Sequence, residues 1–437
     1  MTKKGRWVRR ALACGAILAT TSMPPAWAQA ESGAPKQAAN PAGASSAAVA
    51  GESELTVRPE IGLLLREAQR LLGEKMNQEA AGKLVAAEAV ADKTPYEQHI
   101  LARLKGALAV ATGDIAQAAQ QYELASQGPW LKPADKVVSL QVIAGMYYNA
   151  KNYAEASAWI VRYRQAGGDD PAMNRLLAQS YYLAADYANA AQALEAEIGK
   201  ASALGQTPSE RQLLLLADAR SRLRDDGGHA KALEMVVRYY PSKANWRPLL
   251  GRLWATPQLA GRLQLDVFRF QLASVGFSQG SDYGQMAELA LQEGSAIEAA
   301  KVLEQGYAAG LLGSADKAGD LKRLGDKIAR SAAEDRGTLE KDVARAKTLP
   351  DGLAMFNYGF NLFQLGQTER GLAQMEQGLA KGIARNSDLA RLRLVAAYAQ
   401  LDQRDKATQL LSTLAGKAEP VGLAELVRYW NLWLRRP

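Results

Sequence analysis

The chain has 437 residues, of which 48% are hydrophobic and 22% charged, with a formal charge of +8. That much apolar material excludes a disordered chain. A single cysteine, Cys14, excludes both a disulfide framework and a cysteine-rich metal site. Alanine and leucine dominate and aromatic content is 7%, which favours helices over strands, because alanine loses almost no side-chain entropy in a helix.

Residues 1–28 have the build of a cleaved secretory signal. Lys3, Lys4, Arg6, Arg9 and Arg10 form a basic start, and Ala11 to Met23 form a short, largely apolar run. Ala26-Trp27-Ala28 then supplies the small-x-small pattern of a cleavage site. A membrane-spanning anchor needs about 20 continuous apolar residues, and this run is broken by Thr20, Thr21, Ser22, Pro24 and Pro25. Arg9-Arg10 fits a twin-arginine signal poorly, and Cys14 stands too close to Arg10 for a lipoprotein signal. Export and cleavage place the mature chain in the periplasm, with no integral membrane span and no cysteine. The signal carries five basic and no acidic side chains, so the remainder has a formal charge of only +3. That balance makes no case for a nucleic-acid partner. Residues 29–57 are Ala, Gly, Ser and Pro with few large apolar side chains, and the composition predicts a disordered tether.

From residue 58 to 437 the pattern is helical and recurrent. In Gly113-Asp114-Ile115-Ala116-Gln117-Ala118-Ala119-Gln120-Gln121-Tyr122-Glu123-Leu124-Ala125 a turn precedes the small residue Ala118, with Tyr122 four later and Ala125 three after that. Small residues recur in this slot at Ala80, Ala118, Ala156, Ala190, Ala232, Ala299, Gly371 and Ala407, separated by 38, 38, 34, 42, 67, 72 and 36 residues. Upstream of several slots stand Gly106, Ala144, Ala178 and Gly359. A small residue there lets the two helices of a hairpin approach closely, and large residues fill the gaps. The two long gaps each leave room for a degenerate hairpin, near 244–278 and 314–350.

This spacing resembles the tetratricopeptide repeat, whose small and large residues recur over about 34 residues. The resemblance implies an all-α fold, an α-solenoid of roughly ten helical hairpins over 58–437. In that family the first helix of each hairpin lines a groove that holds protein segments. Carrying the family frame over places Arg103, Gln141, Tyr148, Asn149, Arg175, Gln179, Tyr182 and Arg224 in such a groove, with Arg103, Arg175, Arg224, Tyr148 and Tyr182 expected to be exposed. Arginines and tyrosines there suit an extended peptide, through charge-assisted hydrogen bonds and flat apolar contact. Phe356, Phe360 and Phe363 occupy the same frame, and an aromatic stripe at helical spacing predicts packing. Trp430 and Trp433, beside Arg435 and Arg436, either fold back as a cap or dock a partner.

No constellation predicts catalysis, a metal or a cofactor. His99 and His229 are far apart, and no local spacing assembles three or four metal ligands. Gly276-Phe277-Ser278-Gln279-Gly280 and Gly310-Leu311-Leu312-Gly313 lack the strand that precedes a phosphate loop, and read as hairpin links. A narrower likeness lies in Leu263-Gln264-Leu265-Asp266-Val267-Phe268-Arg269-Phe270, Asp282-Tyr283-Gly284-Gln285-Met286-Ala287 and Lys301-Val302-Leu303-Glu304-Gln305-Gly306. These stretches are similar to exported tetratricopeptide proteins associated with the TonB, ExbB and ExbD energy-transducing system of Gram-negative bacteria. That likeness implies a periplasmic adaptor without catalytic residues. Scaffolding of envelope or polysaccharide-export assembly, and a solenoid-borne peptidoglycan enzyme, are the competing readings.

Overall fold

The turn inside a hairpin is built the same way along most of the chain: one residue in the left-handed backbone region, then a helix start. Lys75, Gly113, Lys151, Ala185, Gly294, Gly366 and Asp402 hold positive φ, each five residues before a small-residue slot. Asp114, Asn152 and Asp186 follow three of these turns and accept hydrogen bonds from the backbone N–H groups of Gln117, Glu155 and Asn189. Such caps satisfy donors that the first helical turn leaves unpaired.

The computed structural model describes residues 56–259, 261–313, 319–414 and 422–436. Residues 1–28, where a signal is expected, with Cys14, and nearly all of the 29–57 stretch lie outside the described residues. Among the described residues there are twenty α-helices and no strand. The chain divides into two compact units, Met1–Asp226 and Gly227–Pro437.

The first unit holds α1 (Pro59–Gly73), α2 (Asn77–Ala89), α3 (Pro95–Thr112), α4 (Ile115–Ala125), α5 (Pro133–Asn149), α6 (Tyr153–Gln165), α7 (Pro171–Leu183), α8 (Tyr187–Ala203) and α9 (Glu210–Arg222). Ala80, Ala118, Ala156 and Ala190 are each the fourth residue of a second helix, and none is more than 2% exposed. The slots are therefore close-packed helix contacts, as the recurrence predicts. Between the slots, Ile61, Leu65, Leu84, Leu101 and Leu104 fill the first interface, and Tyr122, Leu140, Ile143, Trp159, Ile160 and Leu177 fill those that follow.

The N-terminal entry to this unit is fixed by one buried carboxylate. Thr94 and Glu97 form a reciprocal capping box at the start of α3. Glu97 is fully buried and also accepts bonds from Arg58, at 2.9 Å from the backbone N, 3.0 Å from Nε and 2.9 Å from Nη2. The Arg58 guanidinium, with the N–H groups of Arg58 and Thr94, outweighs burial and holds the Glu97 carboxyl down at about 2. Its folded value lies below the unfolded one, so its stabilisation is complete above about pH 4.3 and is lost as pH falls toward 2. Glu97→Gln is expected to lower stability at pH 7 by about 1–3 kcal/mol. In urea titrations the gap to the parent protein should close as the pH approaches 2. A gap independent of pH would assign the loss to packing.

The second unit holds α10 (Asp226–Tyr239), α11 (Lys243–Ala255), α12 (Gln264–Ser274), α13 (Gly280–Gln292), α14 (Ala296–Ala308), α15 (Gly319–Ala346), α16 (Leu353–Gln364), α17 (Thr368–Lys381), α18 (Ser387–Gln400), α19 (Arg404–Ser412) and α20 (Leu423–Leu434). The helix total matches ten pairs, but the grouping differs at 314–350. There a single 28-residue helix, α15, stands where a degenerate hairpin is expected. Its interior contains no proline, and Ile328, Ala332, Leu339, Val343 and Ala346 form one continuous buried stripe. Near 244–278 the expected pair is present as α11 and α12, joined by a short 3₁₀ turn.

The last helices of this unit return to its middle. Helices α18 and α20 both pack on α12, and Phe270 meets Trp430 edge-on at 5.0 Å. Trp430 and Trp433 are buried, and Arg436 lies 3.8 Å over the Trp433 ring. Of the two roles open to these tryptophans, the structure takes the cap. Phe356, Phe360 and Phe363 are buried as packing residues, as their spacing predicts.

Candidate functional site

The first helices of consecutive hairpins in the first unit carry a ladder of polar contacts. Its order follows from counting back from each left-handed turn. Arg103, Gln141 and Arg175 each stand ten residues before a turn residue (Gly113, Lys151, Ala185), and Tyr148 and Tyr182 each stand three before. Equivalent positions on stacked hairpins share one face, so these side chains form two rows.

The first row reaches forward to the start of the next first helix. Arg103 Nη2 lies 3.6 Å from Asp135 Oδ2, and Gln141 Nε2 donates to Asp170 Oδ2 at 3.2 Å. Asp170 is well placed for this, since it caps α7 through Ala172 N at 2.7 Å and its own N–H donates to Tyr163 Oη at 2.9 Å. The third member, Arg175, forms no ion pair with Glu210, the acid in the first turn of α9. Where Asp170 precedes α7, Ser209 precedes α9. Arg175 is exposed and forms no ion pair among the described residues.

The second row is tighter. Tyr148 Oη donates to Gln179 Oε1 at 3.1 Å, and Tyr182 Oη donates to Asp218. Each ring also stands edge-on to the first residue of its own second helix, Tyr148 to Tyr153 at 5.4 Å and Tyr182 to Tyr187 at 5.5 Å. Burial pushes both phenols up, and the Asp218 hydrogen bond pushes Tyr182 further. Asp218 is also 3.3 Å from Arg222 Nε, so its charge is compensated.

The structure thus brings Arg103, Gln141, Tyr148, Arg175, Gln179 and Tyr182 onto one face, with Asn149 exposed at the end of α5. Two expectations need correction. Tyr182 is buried at 8% exposure, because its hydroxyl is drawn between α7 and α9 by Asp218. Arg224 is not in a first helix at all. Helix α9 ends at Arg222, and Arg224 holds φ 56° as the turn residue, equivalent to Gly113, Lys151 and Ala185.

Four residues of the face do not follow from the sequence frame as applied. Asp135 and Asp170 lie at helix starts, where an acidic residue is usual for capping alone. Counting from Glu210, the true start of α9, gives Arg211 and Asp218 in place of Arg224. Arg211 is exposed, forms no ion pair among the described residues, and its charge is felt at the Tyr148 phenol.

No protein-family model matches the chain, and comparison with curated proteins gives no match. The reading of the face therefore rests on its own chemistry. Among the described residues no three His, Cys, Asp or Glu side chains converge as metal ligands, and no helix is long and apolar enough to cross a membrane. His99 lies on α3 and His229 on α10. What the face offers is a row of amides and phenols already wired to neighbours, with two arginines left over.

Proposed function

We propose that the chain is a non-catalytic binding scaffold whose first-helix face takes an extended, acid-bearing protein segment. The observation that supports this is the mismatch in the ladder. Arg103 and Arg222 are paired with carboxylates, whereas Arg175 and Arg211 form no ion pair among the described residues. A carboxylate arriving from a partner would supply the missing charge, and guanidinium–carboxylate pairs give geometric specificity as well as energy. The pre-wired tyrosines would lose little entropy on binding.

Within that reading, a periplasmic adaptor accessory to the TonB, ExbB and ExbD system is the narrower proposal. Its support is the similarity carried by Leu263–Phe270 and the stretches after it. The partner is a protein, and neither nucleic acid nor a cofactor enters.

The test is the binding of purified periplasmic TonB and ExbD segments, and of a fluorescent acidic peptide, to the mature chain. Arg175→Ala/Arg211→Ala is expected to weaken binding by more than about tenfold, as truncated anchors do. Because both side chains are exposed, folding should stay within about 0.5 kcal/mol of the parent. Undiminished affinity in the double variant would move the binding surface elsewhere. Binding of the acidic peptide without either periplasmic segment would retain the scaffold and remove the adaptor.

A further inference from the structure

A second surface of the first unit has the chemistry of a ligand site, on different residues from the ladder. Helices α2, α3 and α4 and the connection after α4 enclose a cleft of about 740 Å³. That lies within the roughly 300–1,000 Å³ usual for small-molecule sites. Its wall includes His99, which is 4% exposed. The ring Nδ1 is 2.9 Å from Ala125 O, so Nδ1 carries the proton and donates, which leaves Nε2 an acceptor. Nε2 is buried and has no hydrogen-bond partner. Buried polar atoms are rarely left so. Tyr96 and Trp130 flank the imidazole, with ring centroids 6.3 and 5.6 Å away.

The charges of the cleft are already spent. Lys105 Nζ lies 2.7 Å from Glu88 Oε1, and Lys93 Nζ donates to the carbonyls of Glu88 and Val90 that end α2. The remaining polar capacity is in side-chain amides. Gln117, Gln120, Gln121 and Gln127 come from α4 and the residues just past it, and Gln98 comes from α3. Their spacing along α4 sets them on one stripe. The four glutamines at and beyond α4 form no side-chain hydrogen bond among the described residues. Each amide presents both donors and an acceptor.

From this juxtaposition we infer that the cleft is a binding site for a neutral oligosaccharide. A sugar hydroxyl is donor and acceptor at once, which matches an amide-lined wall and gives His99 Nε2 the donor it lacks. The C–H face of a pyranose suits the ring of Trp130, which lines the cleft. An anionic ligand would find no uncommitted cation here.

The experiment titrates the mature full-length chain with maltohexaose, cellohexaose and hexa-N-acetyl-chitohexaose, followed by calorimetry and intrinsic tryptophan fluorescence. A hyaluronan oligosaccharide and a neutral Ala/Ser/Gln peptide serve as comparisons. At least one neutral hexasaccharide should bind with a sub-millimolar Kd and change the fluorescence. Gln117→Ala/Gln120→Ala, both on the exposed side of α4, should weaken that binding at least tenfold with an unchanged melting temperature. His99→Phe, which keeps an aromatic ring and removes both nitrogens, should weaken it as well. Binding of the acidic peptide at Arg175 and Arg211 should be the same in these variants, which separates this site from the ladder. The inference is overturned if no neutral hexasaccharide binds at millimolar concentration. It is equally overturned if the glutamine variant binds as well as the parent, or if the peptide or hyaluronan binds in their place.

Discussion

Replacing Arg269 with alanine should destabilise the protein by about 3–5 kcal/mol, because it strips the countercharge from two buried carboxylates. Arg269 donates to Glu298 through Nε at 2.8 Å and Nη2 at 2.7 Å, and to Asp266 through Nη1 at 2.8 Å. Asp266, Arg269 and Glu298 are all 6% exposed or less. Arg269 also lies 5.6 Å over the Phe360 ring, with Arg393 5.1 Å from the same ring. One side chain therefore joins α12 to α14 and α16. The loss would be read as the midpoint of urea unfolding, followed by far-ultraviolet circular dichroism. Two companions separate charge from volume. Arg269→Lys keeps the charge but loses the two-pronged geometry, and should fall between parent and alanine. Changing Asp266, Arg269 and Glu298 together to apolar residues of similar size should cost far less than Arg269→Ala alone, since no orphaned charge remains. An Arg269→Ala loss below about 1 kcal/mol would show that water reaches the carboxylates.

The repeat was legible because its two signals are local. A left-handed turn residue and a small residue five positions later can be read from one stretch of sequence, and the slot residues are buried as that reading requires. The ladder was legible by half. Tyr148 and Tyr182 recur at a fixed distance from their turns, but their partners Gln179 and Asp218 sit on the following hairpin, 31 and 36 residues away. Arg224 was misplaced because Ala232, taken as the slot, sets the turn at Gly227, whereas Gly227 lies in the first turn of α10 and the left-handed residue is Arg224 itself. The return of α18 and α20 onto α12 was not legible at all. It depends on Phe270 meeting Trp430 across 160 residues, and a recurrence that records only nearest neighbours cannot show it. Trp430 and Trp433 were ambiguous for that reason, and α12 resolves them.

Alanine in place of Gly378 should destabilise the protein by roughly 1–3 kcal/mol, while the same change at Gly337 should stabilise it by roughly 0.5–1 kcal/mol. Both glycines are inside helices, so backbone entropy favours alanine equally at each. The difference is what the added methyl would meet. At Gly337, exposed on α15, it meets nothing within 4 Å. At Gly378, on α17, it would lie 2.7 Å from the Phe356 nitrogen and 2.8 Å from the Gly352 oxygen, both backbone atoms of or next to α16. Gly359 and Gly371 are equally confined, each with a backbone atom of the opposite helix within 2.7 Å. Gly352 and Gly359 are seven residues apart, and so are Gly371 and Gly378. Each pair thus repeats on one helix face, and the two helices touch backbone to backbone along it. Flexible side chains can yield by a few tenths of an ångström, but here the helix axes would have to part, opening the interface that Phe356 and Met375 fill. Thermal unfolding of the two single variants against the parent protein measures the contrast directly. Opposite signs are expected; a stabilised Gly378→Ala variant would mean that α16 and α17 separate without cost, and that the small-residue slot at Gly371 is a coincidence of composition.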